Sequence, residues 1–236
     1  MAKTKIPGYS QPTRPDPGTG TPTLKWVLVG LGVVVVAALV VAVAVTANSS
    51  RAGSGVDLAD VVRVAGEDLP ELRGQDDPAV GRTVPTLSGT SVTGEPVELS
   101  GGPRVVVVVA HWCPHCQAEV PRITELVDTG QWPGAVALQY VSTAQDRTKG
   151  NWSPSRWLER EGVTAPVLVD DAGGTAGRAL GVQGFPLIVG VAADGKVAWR
   201  VSGEQDSGQL LALAQSLVPA PAPAGDTSPS TPGAGS

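Results

Sequence analysis

Trp112-Cys113-Pro114-His115-Cys116 holds both cysteines of the chain and one of its two histidines; the other, His111, stands just upstream. A near-continuous apolar run, Val105 to Ala110, leads into this pentapeptide, and a helix-compatible stretch, Gln117 to Val127, leads out of it. A buried strand meeting a helix with Cys-x-x-Cys at the junction is a redox signature. If the helix begins at about Cys113, that thiol meets the unpaired amides and the positive end of the helix, which favour thiolate over thiol. Cys113 is then the nucleophile. One turn on, Cys116 lies on the same side of the helix start, where it can displace a mixed disulfide formed at Cys113. His115, between the two, offers positive charge or a hydrogen bond to the thiolate, which makes the disulfide easier to reduce and biases the site towards oxidising its partners.

Two other uses of the same residues compete with this one. A structural staple gains little, because the stabilisation expected from a disulfide grows with the loop it closes and this loop is minimal. A metal site would draw on His111, Cys113, His115 and Cys116, all possible ligands for zinc or copper, and a copper- or zinc-binding metallochaperone is the alternative function. The chain has no second ligand pair elsewhere to complete such a centre, so no metal and no organic cofactor is expected.

The run Trp112-Cys113-Pro114-His115-Cys116-Gln117-Ala118-Glu119-Val120-Pro121 resembles the WCxxCxxExP signature of the TlpA/ResA-like group of membrane-anchored thioredoxin-fold proteins. Upstream, Gly81-Arg82-Thr83-Val84-Pro85 and Gly94-Glu95-Pro96-Val97-Glu98-Leu99 are similar to segments of that group, and downstream Gly184-Phe185-Pro186 is similar to its cis-proline loop. The resemblance covers roughly residues 80 to 218. It implies an α/β thioredoxin-like fold, a central mixed sheet flanked by helices, and thiol–disulfide exchange. It also implies a cis Phe185-Pro186 bond packed opposite Cys113, with Trp112, Phe185 and Pro186 meeting the substrate. There the Phe185 backbone would offer hydrogen bonds to an extended segment, as in strand addition. Glu119 matches a glutamate lying near the active-site cleft in that group, where it can move protons or shape partner contacts; a solvated helix carboxylate is the other reading. Thioredoxins carry a buried Asp where this chain has Val107, so proton handling for Cys116 falls to water, Glu119 or a partner. His111 is expected as a rim residue.

The rest of the chain supplies context. Its 236 residues, 42% hydrophobic with net charge −5, suit one globular domain with appendages and do not suggest nucleic-acid binding. Residues 1–25 are rich in Pro, Gly and Thr, carry Lys3, Lys5, Arg14 and Lys25, and read as a disordered basic cytoplasmic tail. Residues 26–47 lack charge and are dominated by Val, Leu, Ala and Gly. About 20 such residues span the hydrocarbon core as a helix, and the preceding basic residues set the N-terminus inside. A cleaved signal peptide is the rival, although its apolar core usually runs to only about 7–15 residues. No cysteine follows the run, which excludes a lipoprotein anchor. The redox site then faces an oxidising, extracytoplasmic compartment of a bacterial cell.

Residues 48–79 read as a tether, with Val56 to Val64 able to form a short amphipathic helix, and the domain is expected from near Val80 to 218. Within it, Val97 to Leu99, Arg104 to Ala110, Ala135 to Val141, Ala165 to Val169, Leu187 to Val191 and Lys196 to Val201 read as strands, Arg104 to Ala110 central and covered on both faces. Val120, Ile123, Leu126 and Val127 form the core face of the helix after the cysteines, with a kink expected at Pro121. Further helices are expected after Ser153-Pro154, over Gly173 to Leu180 and over Gln205 to Leu217. Ser142 to Trp152 is a loop, with Trp152 and Trp157 assigned to the core, and residues 219–236 form a disordered Pro, Ala, Ser and Thr tail. The composite expectation is a membrane-anchored thiol–disulfide oxidoreductase acting on exported proteins, served by a membrane redox partner. Direction is divided: the framework resembles reductases, towards which the reading leans, and Pro114-His115 resembles oxidases.

Overall fold

Arg104 and the five valines after it are all buried and form the centre of the sheet. The computed structural model describes residues 55–72 and 76–219. In chain order the elements are β1 (Arg63–Ala65), β2 (Thr86–Ser91), β3 (Pro96–Leu99), β4 (Arg104–Val109), α1 (Pro114–Asp128), β5 (Ala137–Ser142), α2 (Pro154–Arg160), β6 (Val167–Val169), α3 (Thr175–Ala179), β7 (Leu187–Val191), β8 (Val197–Ser202) and α4 (Ser207–Gln215). One mixed sheet runs β1-β2-β6-β5-β4-β7-β8, with β3 pairing β2 off this path. β4 pairs β5 in parallel and β7 antiparallel, so it is hydrogen-bonded on both sides. This is the thioredoxin-like arrangement that the resemblance implies.

The alternation of β4 divides the core into two layers. Val105, Val107 and Val109 face Val120, Ile123 and Leu126 of α1, with Trp157 of α2 and Leu210 of α4. Val106 and Val108 face the other way, towards Leu87, Leu99, Leu180 and Leu69. A fully buried valine contributes about 1.5–3 kcal/mol, so this strand is held from both faces and carries the cysteines at its C-terminal end. β7 needs Gly190 because the indole of Trp199 lies where a Cβ would be.

The N-terminal part of the fold differs from the expectation. Val56 to Val64 does not form a helix: Arg63–Ala65 is a strand antiparallel to β2, and Ala59 bridges Asp171. Arg63, Val64 and Ala65 pair with Ser88, Leu87 and Thr86 along the β2 edge, a long-range contact that local periodicity cannot anticipate. Ala59, Val62, Leu69 and Ala79 are buried, so the described part of the presumptive tether belongs to the domain, which starts well before Val80. Arg200 of β8 fastens this segment, pairing with Asp77 and donating to Leu180 O at 2.9 Å. Although burial acts to raise it, the Arg200 and Ala79 hydrogen bonds hold the Asp77 carboxyl below its ordinary value.

Smaller differences follow local capping. The last helix begins at Ser207, because Asp206 and Gln209 form a reciprocal capping box. α3 begins at Thr175, after Gly174 at φ 67°, with the carboxylates of Asp170 and Asp171 taking its first N–H groups. Trp157 is core, whereas Trp152 is 36% exposed and lies edge-on to His111. The expected basic tail, transmembrane helix, residues 48–54 and the tail from 220 onward lie outside the described residues. Among the described residues no helix is long and apolar enough to cross a membrane.

Candidate active site

The site begins where β4 ends. A tight turn, with Cys113 N donating to Ala110 O at 3.0 Å, delivers Cys113 as the N-cap of α1 at φ −76° and ψ 121°. Pro114 occupies the first helical position, where its missing N–H costs nothing and its ring pre-sets φ. α1 then runs unbroken through Pro121 and buries Cys116, Glu119, Val120, Ile123 and Leu126.

The two thiols differ in environment. Cys113 keeps slight exposure, and its Sγ lies 3.6 Å from the carbonyl oxygen of Phe185. Cys116 is sealed from solvent, and burial pushes its thiol far above the ordinary range, with Cys113 and the charge of Glu119 adding to that push. The Phe185–Pro186 bond is cis. Trp112 packs edge-on against the Phe185 ring, centroids 6.1 Å apart, and its Nε1–H donates to Ala144 O at 2.7 Å. Trp112, Cys113, Phe185 and Pro186 are thus brought together at one end of the sheet.

Val107 is fully buried and brings no carboxylate to the site, so the acid within electrostatic reach of Cys116 is Glu119 of α1. Glu119 is not solvated: it has no exposure, lies within electrostatic reach of Cys116, receives Arg122 Nη1 at 2.6 Å and accepts from Gln205 N at 3.1 Å. Burial raises its pKa above the ordinary value of 4.5, partly offset by the Gln205 N–H and by Arg122. Tyr140, also sealed, has its phenol pushed up by burial and secondarily by Glu119.

His115 points outward, with Nδ1 2.7 Å from Glu204 Oε1. His111 is not a rim residue. Its ring is buried, with Nδ1 donating to Gly150 O at 2.8 Å and Nε2 accepting from Asp146 N at 3.2 Å. The reason is a loop that needs its backbone groups satisfied: the polar segment after β5 is fastened to the strand end by His111 and Trp112. Both ring nitrogens of His111 are therefore committed away from the thiols. Among the described residues no group of three or more His, Cys, Asp and Glu side chains is placed to hold a metal, so the four donors of the metallochaperone reading are not assembled.

Sequence reading missed Glu204 and Arg122. Arg122 sits one turn beyond Glu119, a spacing that signals an ion pair. Glu204 follows β8 in an irregular segment, and only the fold brings it to His115.

The Redoxin family model matches residues 79–213, more than half of the chain. The thiol:disulfide interchange protein DsbE of Pseudomonas aeruginosa is 30% identical over 128 residues, covering 52% of this chain and 66% of that protein. DsbE of Vibrio cholerae is 30% identical over 148 residues, covering 61% of this chain and 74% of that protein. The thiol-disulfide oxidoreductase ResA of Bacillus anthracis is 24% identical over 143 residues, covering 59% and 79% respectively. Among solved structures, a thiol:disulfide interchange protein of the DsbE type from Chlorobium tepidum superposes with a TM-score of 0.50 at 19% identity, covering 59% of this chain and 98% of that one, a likeness of fold. By the family match and the strand–Cys-x-x-Cys–helix junction together, the chain belongs to the Redoxin family, with DsbE and ResA proteins among its relatives.

Proposed function

We propose that the chain is a membrane-anchored thiol–disulfide oxidoreductase whose domain faces the extracytoplasmic space and exchanges disulfides with exported proteins through Cys113 and Cys116. The observation that carries this reading is the inequality of the two thiols: Cys113 caps a helix beside Phe185 O, and Cys116 is sealed beneath it. In the reductive direction the Cys113 thiolate attacks one sulfur of a substrate disulfide, forming a Cys113–substrate bond and expelling the other sulfur as a thiolate. Cys116 then gives up its proton and attacks Cys113 Sγ, closing the Cys113–Cys116 disulfide and releasing the second substrate thiolate. Two electrons pass to the substrate; reversing both steps oxidises it.

Cys116 cannot attack until deprotonated, and burial opposes that. Glu119, with a raised pKa and no exposure, is the protein carboxylate that takes this proton. The substrate segment lies across Trp112, Phe185 and cis-Pro186, guided by their apolar faces and the Phe185 backbone. The names of the relatives support exchange chemistry, the uncharged run 26–47 supports the anchor, and a membrane redox partner returns the site to its working state. Family framework favours the reductive direction.

Turnover of insulin disulfides by the full chain in detergent tests the reading: Cys113→Ser abolishes it. Retained turnover in that variant would overturn it. Equilibration with glutathione buffers tests direction: a potential near about −270 mV, like thioredoxin's, marks a reductant, and one near about −120 mV an oxidant.

A further inference from the structure

His115 is the residue of the Cys113–Cys116 dipeptide best able to act on the thiolate, yet its Nδ1 is spent elsewhere, on Glu204 Oε1 at 2.7 Å. The same carboxylate reaches inward: Glu204 Oε2 is 3.6 Å from Arg122 Nη2, whose Nη1 is 2.6 Å from Glu119 Oε2. The segment holding Glu204 is fixed on both sides. Gly203 N donates to Pro186 O at 2.9 Å, and Gln205 N donates to Glu119 while Gln205 O accepts from Arg122 Nη1 at 2.7 Å. Glu204 therefore stands in a rigid bracket between the cis-proline loop and α1, with its carboxylate aimed at the imidazole.

We propose that Glu204 is a positioning residue for the redox site: it holds the His115 ring by Nδ1, away from Cys113, and offsets the charge that ring brings. The consequence is that the redox set point depends on a carboxylate outside the Cys-x-x-Cys segment. This rests on Cys113 being the reacting thiol, as proposed above. The sign follows from electrostatics. A positive charge near Cys113 stabilises its thiolate and makes the disulfide easier to reduce, and a carboxylate hydrogen-bonded to the source of that charge weakens the effect. Without Glu204 the positive charge that the ring carries when protonated is uncompensated, and the ring is free to turn towards the thiolate. Arg122 and Glu119 of α1 are the other charged groups facing this bracket; Arg122 touches Glu204 as well as Glu119, and Glu119 is held by Arg122 and Gln205 N, so it does not replace Glu204 on the ring.

The size is modest, because His115 and Glu204 keep 65% and 38% of their side-chain exposure. Exposed pairs carry small couplings, so the expected change is about threefold in the equilibrium constant with glutathione, ~14 mV for a two-electron couple.

The experiment is a double-mutant cycle on the full chain in detergent. Equilibrium constants are measured at one fixed pH for wild type, Glu204→Gln, His115→Ala and the double variant. The expected result is a shift of about threefold towards the dithiol form in Glu204→Gln that falls by more than half in the His115→Ala background. No shift in Glu204→Gln, or an equal shift in both backgrounds, would overturn the proposal, the second because Glu204 would then act by its own charge and not through His115. Circular dichroism of each variant separates misfolding from tuning, and Glu204→Asp, with a shorter reach, provides a second carboxylate variant that should fall between wild type and Glu204→Gln. Failure of the underlying reading looks different: Cys113→Ser would retain exchange.

Discussion

Replacing Glu119 by Gln removes a charge from beneath the active site with almost no change in shape. Its carboxylate is sealed, lies within electrostatic reach of Cys116, and takes Arg122 and the Gln205 N–H. A charge-assisted hydrogen bond contributes about 1.5–3 kcal/mol. The amide oxygen still accepts from Gln205 N, the variant avoids burying an anion, and Arg122 retains its contact with Glu204 and some solvent. The net cost is therefore about 1–2 kcal/mol, and the variant folds. Function suffers more, because Cys116 loses its proton acceptor: a positioned general base is worth about 10²–10⁴ in rate, and access of water to the site offsets part of that, leaving a loss of at least about tenfold in the resolving step. Stopped-flow tryptophan fluorescence, with glutathione disulfide as the oxidant, reads that step. In wild type the rate should fall as pH drops through the raised pKa of Glu119, and the variant should lack that limb.

The linkage runs in the opposite sense for stability. A carboxyl raised above 4.5 in the native state binds more protons there than in the unfolded chain. Its contribution is full below 4.5 and is lost as pH rises through the folded value. Glu119→Gln should remove that slope. A wild-type resolving rate in Glu119→Gln with an unchanged pH profile would show that Glu119 does not take the proton of Cys116.

Two further outcomes test the scaffold. Asp77→Ala strands Arg200, whose side chain has no exposure, and should cost about 3 kcal/mol in chemical denaturation. Because the Asp77 carboxyl is held below its ordinary 3.8, the gap between wild type and Asp77→Asn should be present above that pH and close as pH falls through the lower folded value. Gly190→Ala drives a methyl into the Trp199 indole and should destabilise by about 1–3 kcal/mol with a changed tryptophan emission; unchanged stability would mean the indole moves aside freely.

Much of this was readable because it is local. Val105 to Ala110 is apolar at every position, which only a doubly covered strand requires, and it runs directly into the cysteine pair. The cis-proline loop and the strands β7 and β8 carried equally local signals in Gly184-Phe185-Pro186 and Asp194-Gly195. What escaped depends on contacts remote in sequence. Val56 to Val64 has a helical pattern in isolation, but the free edge of β2 and the Asp171 carboxylate, which accepts from Val62 N, recruit it as extended chain. His111 reads as a rim residue on sequence alone because its partners, Gly150 and Asp146, lie in an irregular loop. Glu204 carries no pattern at all, and His115 meets it only after β8 has returned to the active-site end of the sheet.

In this mechanism Cys113 attacks and Cys116 resolves. Intact-mass and peptide mapping of Cys116→Ser, after a single exposure of the reduced full chain to a disulfide-linked peptide, tests it most directly. A stable adduct of one peptide on Cys113 is expected, absent from wild type, which resolves it. A Cys116→Ser protein that turns over freely, or an adduct that instead accumulates on Cys116 in Cys113→Ser, would contradict it.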